Sequence, residues 1–203
     1  MNYKEIPASY YPAYTWLWNA AITKSEIRRQ LDEMYDAGIK AFYVMGEPSD
    51  FRPTTRRTNL APEYLSDEYT DLLLYAYLTA RKKDMYMWLY NEGGYPSGMA
   101  CGKLRKAHPE LAMKVFDIKT TMLDANTPFE SPENLISAFS GNKRILEGDT
   151  FACPTNITLY SYTDATIFTD SLRIDNSNPF GTELFINATH KKLKERFGDL
   201  MGT

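Results

Sequence analysis

The apolar positions of residues 1–110 come in short solid runs and in helical stripes, whereas those of 111–168 tend to alternate one by one. Tyr14 to Trp18 (YTWLW) is an aromatic run that follows Pro12 and stops at Asn19, which predicts a short buried strand. Thr23 is placed to N-cap the next segment, with Glu26 as its capping-box partner. Ile27, Leu31, Met34 and Tyr35 then recur at helical spacing until Gly38. Ile39 to Met45 predicts a second strand, closed by Gly46 and Pro48. A long polar loop carrying Arg52, Arg56 and Arg57 leads to Pro62. Ser66, Asp67 and Glu68 open a second helix with Tyr69, Leu72, Leu73, Ala76, Tyr77 and Ala80 on one stripe, and Met85 to Tyr90 predicts a third strand.

Strand, helix, strand, helix, strand with short connections is the pattern of consecutive βαβ units, hence of a parallel sheet. From residue 111 the texture changes. AMKVFDIKTTML, Asn134 to Phe139 and ITLYSYTDA have period-2 character and are separated by turn formers such as Ser140-Gly141-Asn142. Asn176 or Asn178 then caps a last helix carrying Phe180, Leu184, Phe185, Ala188, Leu193 and Phe197. The pattern predicts an α/β fold, a parallel sheet with a β-rich insertion; a partial (β/α)8 barrel is what the family resemblance given below implies. Residues 1–110 supply the first βα units, 111–168 the insertion, and 169–203 the return, with a fourth barrel strand near Ile167 to Ile174. A complete barrel of this kind takes roughly 250 residues, more than the 203 present.

Composition narrows the partners. With 23 Lys and Arg against 26 Asp and Glu, the net charge of -3 gives no electrostatic footprint for nucleic acid or an anionic membrane surface. Fifteen Tyr, ten Phe and three Trp are used most commonly in core and surface, though such rings also line sites for ligands with an apolar and a polar face, sugars among them. Cys101 and Cys153 are too few for a disulfide framework and lack metal-site spacing, so two free thiols in a reducing cytosol are expected. No basic-then-apolar leader opens the chain and no long apolar run interrupts it, which predicts a soluble cytoplasmic protein.

Ligands of open parallel sheets and βα barrels bind at the carboxyl ends of the strands. Asn19 ends the first strand, Glu47 follows the second, and Asn91 with Glu92 ends the third, so the fold would bring these groups to one rim. The segment NEGGYPSGMACG combines two glycines with Pro96 and presents Glu92 and Tyr95 on a defined loop without the spacing of a phosphate-binding loop, which reads either as a ligand loop or as a demanding structural turn. Trp16 and Trp18 share a strand face that would point into a barrel, so core packing is the first reading for both, with Trp18, nearest the rim, the one that could instead reach a sugar ring. The substrate-binding candidates are therefore Trp18, Asn19, Asn91, Glu92, Tyr95 and Ser97. Glu92 and Glu47 are the candidate catalytic carboxylates; no metal or cofactor is expected, and His108 and His190 read as structural histidines.

Taken together, WLWN, a helix ending in DAGIK, LAPEYLSDEY, and MYMWLYNEGGYPSG followed by AHPE resemble the N-terminal half of the barrel in glycoside hydrolases akin to the family 106 α-L-rhamnosidases. IDNSNPFGTELFINATHKKLKERFG is similar to a later helix of that family. The resemblance implies rhamnosidase-like hydrolysis of glycosidic bonds in an oligosaccharide or glycoside, with the Glu92 loop shaping the substrate pocket. It also implies that the acids and calcium ligands of such enzymes lie beyond Thr203, so that the chain is truncated before the acidic strand. The alternative is a non-catalytic carbohydrate-binding or relic fragment. An incomplete barrel leaves apolar surface uncovered, which predicts self-association, with Trp16, Phe42, Val44 and Trp88 nearest that surface.

Overall fold

The computed structural model describes residues 10–49, 51, 58–93, 97–164 and 172–202. The chain divides into two compact units, one formed by residues 1–110 and 172–203 and the other by 111–171.

The first unit is built on a parallel sheet in the order β1 (Ala13–Trp18), β2 (Ala41–Gly46), β3 (Tyr86–Trp88). Between the strands run α1 (Lys24–Asp36) and α2 (Asp67–Arg81), capped by Thr23 and Ser66, whose side chains accept the Glu26 and Tyr69 N–H groups. Side chains facing each other across a parallel ladder share one side of the sheet. Register therefore aligns Trp16 with Val44, Trp18 with Gly46 and Phe42 with Met87 on one side, and Leu17 with Met45 and Tyr43 with Trp88 on the other. The first side meets the helices. Trp16 Nε1 donates to Gln30 Oε1 of α1 at 2.7 Å, and the Trp18 ring lies 5.5 Å from that of Tyr69 on α2.

After β3 the chain forms the short helix α3 (Lys103–Ala107) and enters the second unit. It returns to the first through α4 (Pro179–Ile186), a π-helical turn over Asn187–Lys191 and α5 (Lys192–Phe197). There α5 packs on α2 through the Tyr77 and Phe197 rings, 5.8 Å apart, flanked by the Lys192–Asp67 and Arg196–Asp71 ion pairs.

The second unit is an antiparallel sheet in the order β4 (Lys114–Leu123), β7 (Thr155–Asp164), β5 (Leu135–Ser140), β6 (Lys143–Ile145). β5 and β6 form a tight hairpin across Gly141-Asn142, in which Gly141 has φ +54°. One face of this sheet carries Ala138, Ile145 and Ile157, and these form a core with Phe129 from the connecting chain.

The barrel expectation is overturned. The described residues form two small sheets, three parallel strands and four antiparallel ones, and no closed barrel. Closure takes a ring of tilted strands, about eight in a barrel of this type, and the parallel sheet has three. The third is short: only Tyr86–Trp88 of the apolar run to Tyr90 pairs with β2. Of the expected strand at Ile167 to Ile174, residues 167–171 lie outside the described residues, and Leu172 to Ile174 form no strand. The expected uncovered surface is also redistributed. Trp16, Phe42 and Val44 are 7%, 0% and 5% exposed, because the face they share is the one the helices cover, while Trp88 on the other side is 53% exposed. Among the described residues no helix is long and apolar enough to cross a membrane.

Candidate functional site

β3 leads directly into the most unusual local structure of the chain. Glu92 is 1% exposed, and its carboxylate is enclosed by the backbone of the residues that follow it. The N–H groups of Gly93 and Cys101 donate to Oε1 at 3.1 and 2.7 Å, and those of Gly98, Met99 and Ala100 donate to Oε2 at 3.2, 2.8 and 2.8 Å. Successive amides point inward because Ala100 and Cys101 hold φ of +48° and +53°, followed by Gly102 at +81°. That left-handed geometry costs about 1–2 kcal/mol for each residue bearing a Cβ. Hydrogen bonds to an ionised group contribute about 1.5–3 kcal/mol each, so five of them outweigh the strain.

The loop also seats against the end of β2. A Cβ built on Gly93 would lie 1.9 Å from Cys101 Sγ and 2.3 Å from the Gly46 carbonyl oxygen, so this position requires glycine by close approach. Cys101 is buried, and its thiol is pushed well above the ordinary range first by burial and then by the Glu92 charge. The Tyr64 hydroxyl is raised by burial and by the neighbouring Cys101, Tyr69 and Glu92. Tyr69 stacks edge-on against both Tyr64 and Trp18, so a continuous aromatic chain runs from the sheet core at Phe42, Trp16 and Trp18 to the residues around Glu92. These are neutral, packed groups. Nothing in this arrangement activates Cys101 as a nucleophile.

The sequence candidates therefore separate. Trp18 is fully buried with its Nε1 unpaired, and belongs to the sheet–helix core. Asn19 is exposed just past β1, and its carbonyl accepts the Asn59 N–H at 3.0 Å. Glu47 is 1% exposed, and its N–H extends the β1–β2 pairing by donating to the Trp18 carbonyl at 2.9 Å. Asn91 Nδ2 donates to Ser97 Oγ at 3.0 Å, bridging the two ends of the loop. Tyr95 lies outside the described residues, as do Gly94, Pro96, Arg52, Arg56 and Arg57. His108 pairs with Glu110 at 3.0 Å and His190 contacts the Thr189 hydroxyl at 2.9 Å.

An open cleft of about 630 Å³ adjoins the loop, lined by Pro48, Ser49, Leu60, Glu63, Tyr64, Cys101, Lys103, Lys106 and Ala107. Lys103 Nζ donates to the Tyr64 carbonyl at 2.7 Å and pairs with Glu63 at 2.6 Å, which ties α3 to the segment before α2. Sequence reasoning missed Tyr64, Lys103 and Lys106. No sequence signal pairs them, and they meet only because the Glu92 loop sets the start of α3 beside residues 60–64. Among the described residues no group of three or more His, Cys, Asp or Glu is arranged to hold a metal ion. No protein family, curated protein or solved structure matches this chain.

Proposed function

We propose that the first unit is a binding module for a polyhydroxylated ligand, an oligosaccharide or glycoside, which it holds without hydrolysing. The observation that carries this reading is the state of Glu92. Hydrolysis of a glycosidic bond generally requires two carboxyl groups flanking it, one to give a proton and one to act as base or nucleophile. The Glu92 carboxylate accepts five backbone amides, so neither oxygen is offered to a ligand. Glu63, the carboxylate that lines the cleft, is engaged by Lys103.

The cleft suits recognition better than catalysis. Leu60 and Pro48, both part-exposed, offer apolar surface to the C–H face of a sugar, while Ser49 and Lys106 supply donors at the margin and the buried Tyr64 backs the wall. Glu92 acts here as a positioning residue: by gathering the amides of residues 98–101 it fixes Ser97 on one side of the loop and α3 on the other.

The test is titration calorimetry with L-rhamnose and a panel of neutral oligosaccharides, together with assays on chromogenic α-L-rhamnosides. Weak binding reduced about fivefold or more by Lys106→Ala, with no turnover, is the expected result. Turnover above background would return the hydrolase reading. No binding to any sugar of the panel would contradict both.

A further inference from the structure

The second unit carries a surface that the first unit's ligand reading does not use. In its antiparallel ladder Phe116 faces Tyr162 and Ile118 faces Tyr160, with Thr120 opposite Thr158 and Met122 opposite Asn156, and β5 adds Phe139 beside Thr158. These side chains share the sheet face opposite the Ala138–Ile145–Ile157 core. Phe116 is 53% exposed, Ile118 58%, Met122 63% and Tyr162 52%. Packed face to face, two sheets interdigitate such surfaces; a single sheet leaves this one in water.

We propose that this face is an interface between two copies of the chain, joined face to face about a two-fold axis. Three observations favour a second copy. The middle of the face is uncharged, with Thr120, Thr158 and Asn156 among the apolar groups, and the charged residues stand at its ends, Lys114 in register with Asp164 and Arg144 opposite Phe139. Such a surface meets itself without like-charge repulsion. The strands offer roughly 450 Å² of mean plane before side-chain relief is counted, of the order of the ~800 Å² per partner that a stable complex uses. Finally, the β4 edge carries Lys114, Asp117 and Lys119, and charges of this kind deter edge-to-edge pairing, which leaves the face as the route to association.

A glycan fits the face less well. Phe116 and Tyr160 tilt by only 34°, but Phe139 meets Tyr160 at 87° and Phe116 meets Tyr162 at 76°, so the rings as a set do not form a flat platform. Ile118 and Met122 contribute nothing that a sugar hydroxyl can use.

Sedimentation velocity on the full chain across micromolar concentrations tests the proposal. The expected result is a monomer–dimer equilibrium whose dissociation constant rises about 100-fold or more in Ile118→Lys, since closure would bury an unpaired charge. Thr121→Lys, exposed on the opposite side of the same strand, should leave it unchanged. Phe116→Ser provides a second variant without a new charge and should also weaken the dimer. A wild-type chain that stays monomeric throughout, or a dimer indifferent to both Ile118→Lys and Phe116→Ser, overturns the proposal. So does a monomer retained by insoluble polysaccharide and released by Phe116→Ser, which would assign the face to a glycan.

Discussion

The two units depart from the ordinary inside-apolar, outside-polar arrangement in different ways. The first buries polar groups: Glu47, Thr70, Glu92 and Thr189, the buried polar residues among those described, all belong to it. The second exposes apolar groups, Phe116, Ile118, Met122 and Tyr162, along one sheet face. A buried polar group is retained only with partners, and the Glu92 carboxylate has five. An exposed apolar face needs no internal compensation, but it lowers the free energy of whatever covers it. The first departure therefore organises a loop within the chain, and the second directs the chain outward.

The largest effect expected from breaking this contrast comes from Glu92→Gln. The substitution removes the charge and turns an NH2 donor toward amides that are themselves donors. It should destabilise the first unit by about 3–5 kcal/mol. All three tryptophans lie in the first unit, so their fluorescence in urea reads that unit alone, while far-UV circular dichroism follows both. The fluorescence midpoint should fall and the signal from the second sheet should persist.

A smaller effect follows from pH. Burial raises the Cys101 thiol and the Tyr64 and Tyr69 hydroxyls, so in the folded chain all three stay protonated where the unfolded chain has released its protons. The unfolded state then binds fewer protons, and stability falls as pH rises. The loss begins above the ordinary thiol pKa of about 8.5, at up to about 1.4 kcal/mol per pH unit, and steepens past about 10 when the tyrosines join. Urea titrations between these values should show the decline in tryptophan fluorescence, and Cys101→Ala should delay its onset to the tyrosine range.

The smallest effect belongs to the second unit. Ile118→Thr, at a side chain 58% exposed, should change the stability of the monomer by no more than about 0.5 kcal/mol, measured by chemical unfolding at low concentration. A larger loss would mean that the face is supported from within the chain, and the contrast between the units would weaken.

Much of this division is legible in the sequence, and the failures have physical causes. The Thr23 and Ser66 caps, the strand ending at Trp18 and the period-2 strands after residue 111 are local signals, written in neighbouring residues and visible in the fold. Which side of the parallel sheet is covered is not local. An apolar run such as YTWLW is buried in either case, and only the contacts of Trp16 with α1 and Trp18 with α2 assign its face. The run from Met85 to Tyr90 promised a longer strand, yet β3 is an edge with one neighbour and pairs over three residues. The doubled glycine marked the loop as demanding without revealing what it demands. The sequence leaves Glu92 between a ligand loop and a structural turn, and its partners are backbone amides, which every residue except proline possesses and no motif records.

Amide hydrogen exchange can show whether Glu92 is held as an internal anion by the loop it precedes. The N–H groups of Met99, Ala100 and Cys101 donate to a carboxylate instead of a helix or strand, so strong protection of these three depends on Glu92. Slow exchange is expected in the wild-type chain, comparable to that of β2, and exchange at least about 100-fold faster in Glu92→Gln under conditions where β2 remains protected. Rapid exchange of these amides in the wild-type chain, or protection that survives the substitution, would contradict that role of Glu92.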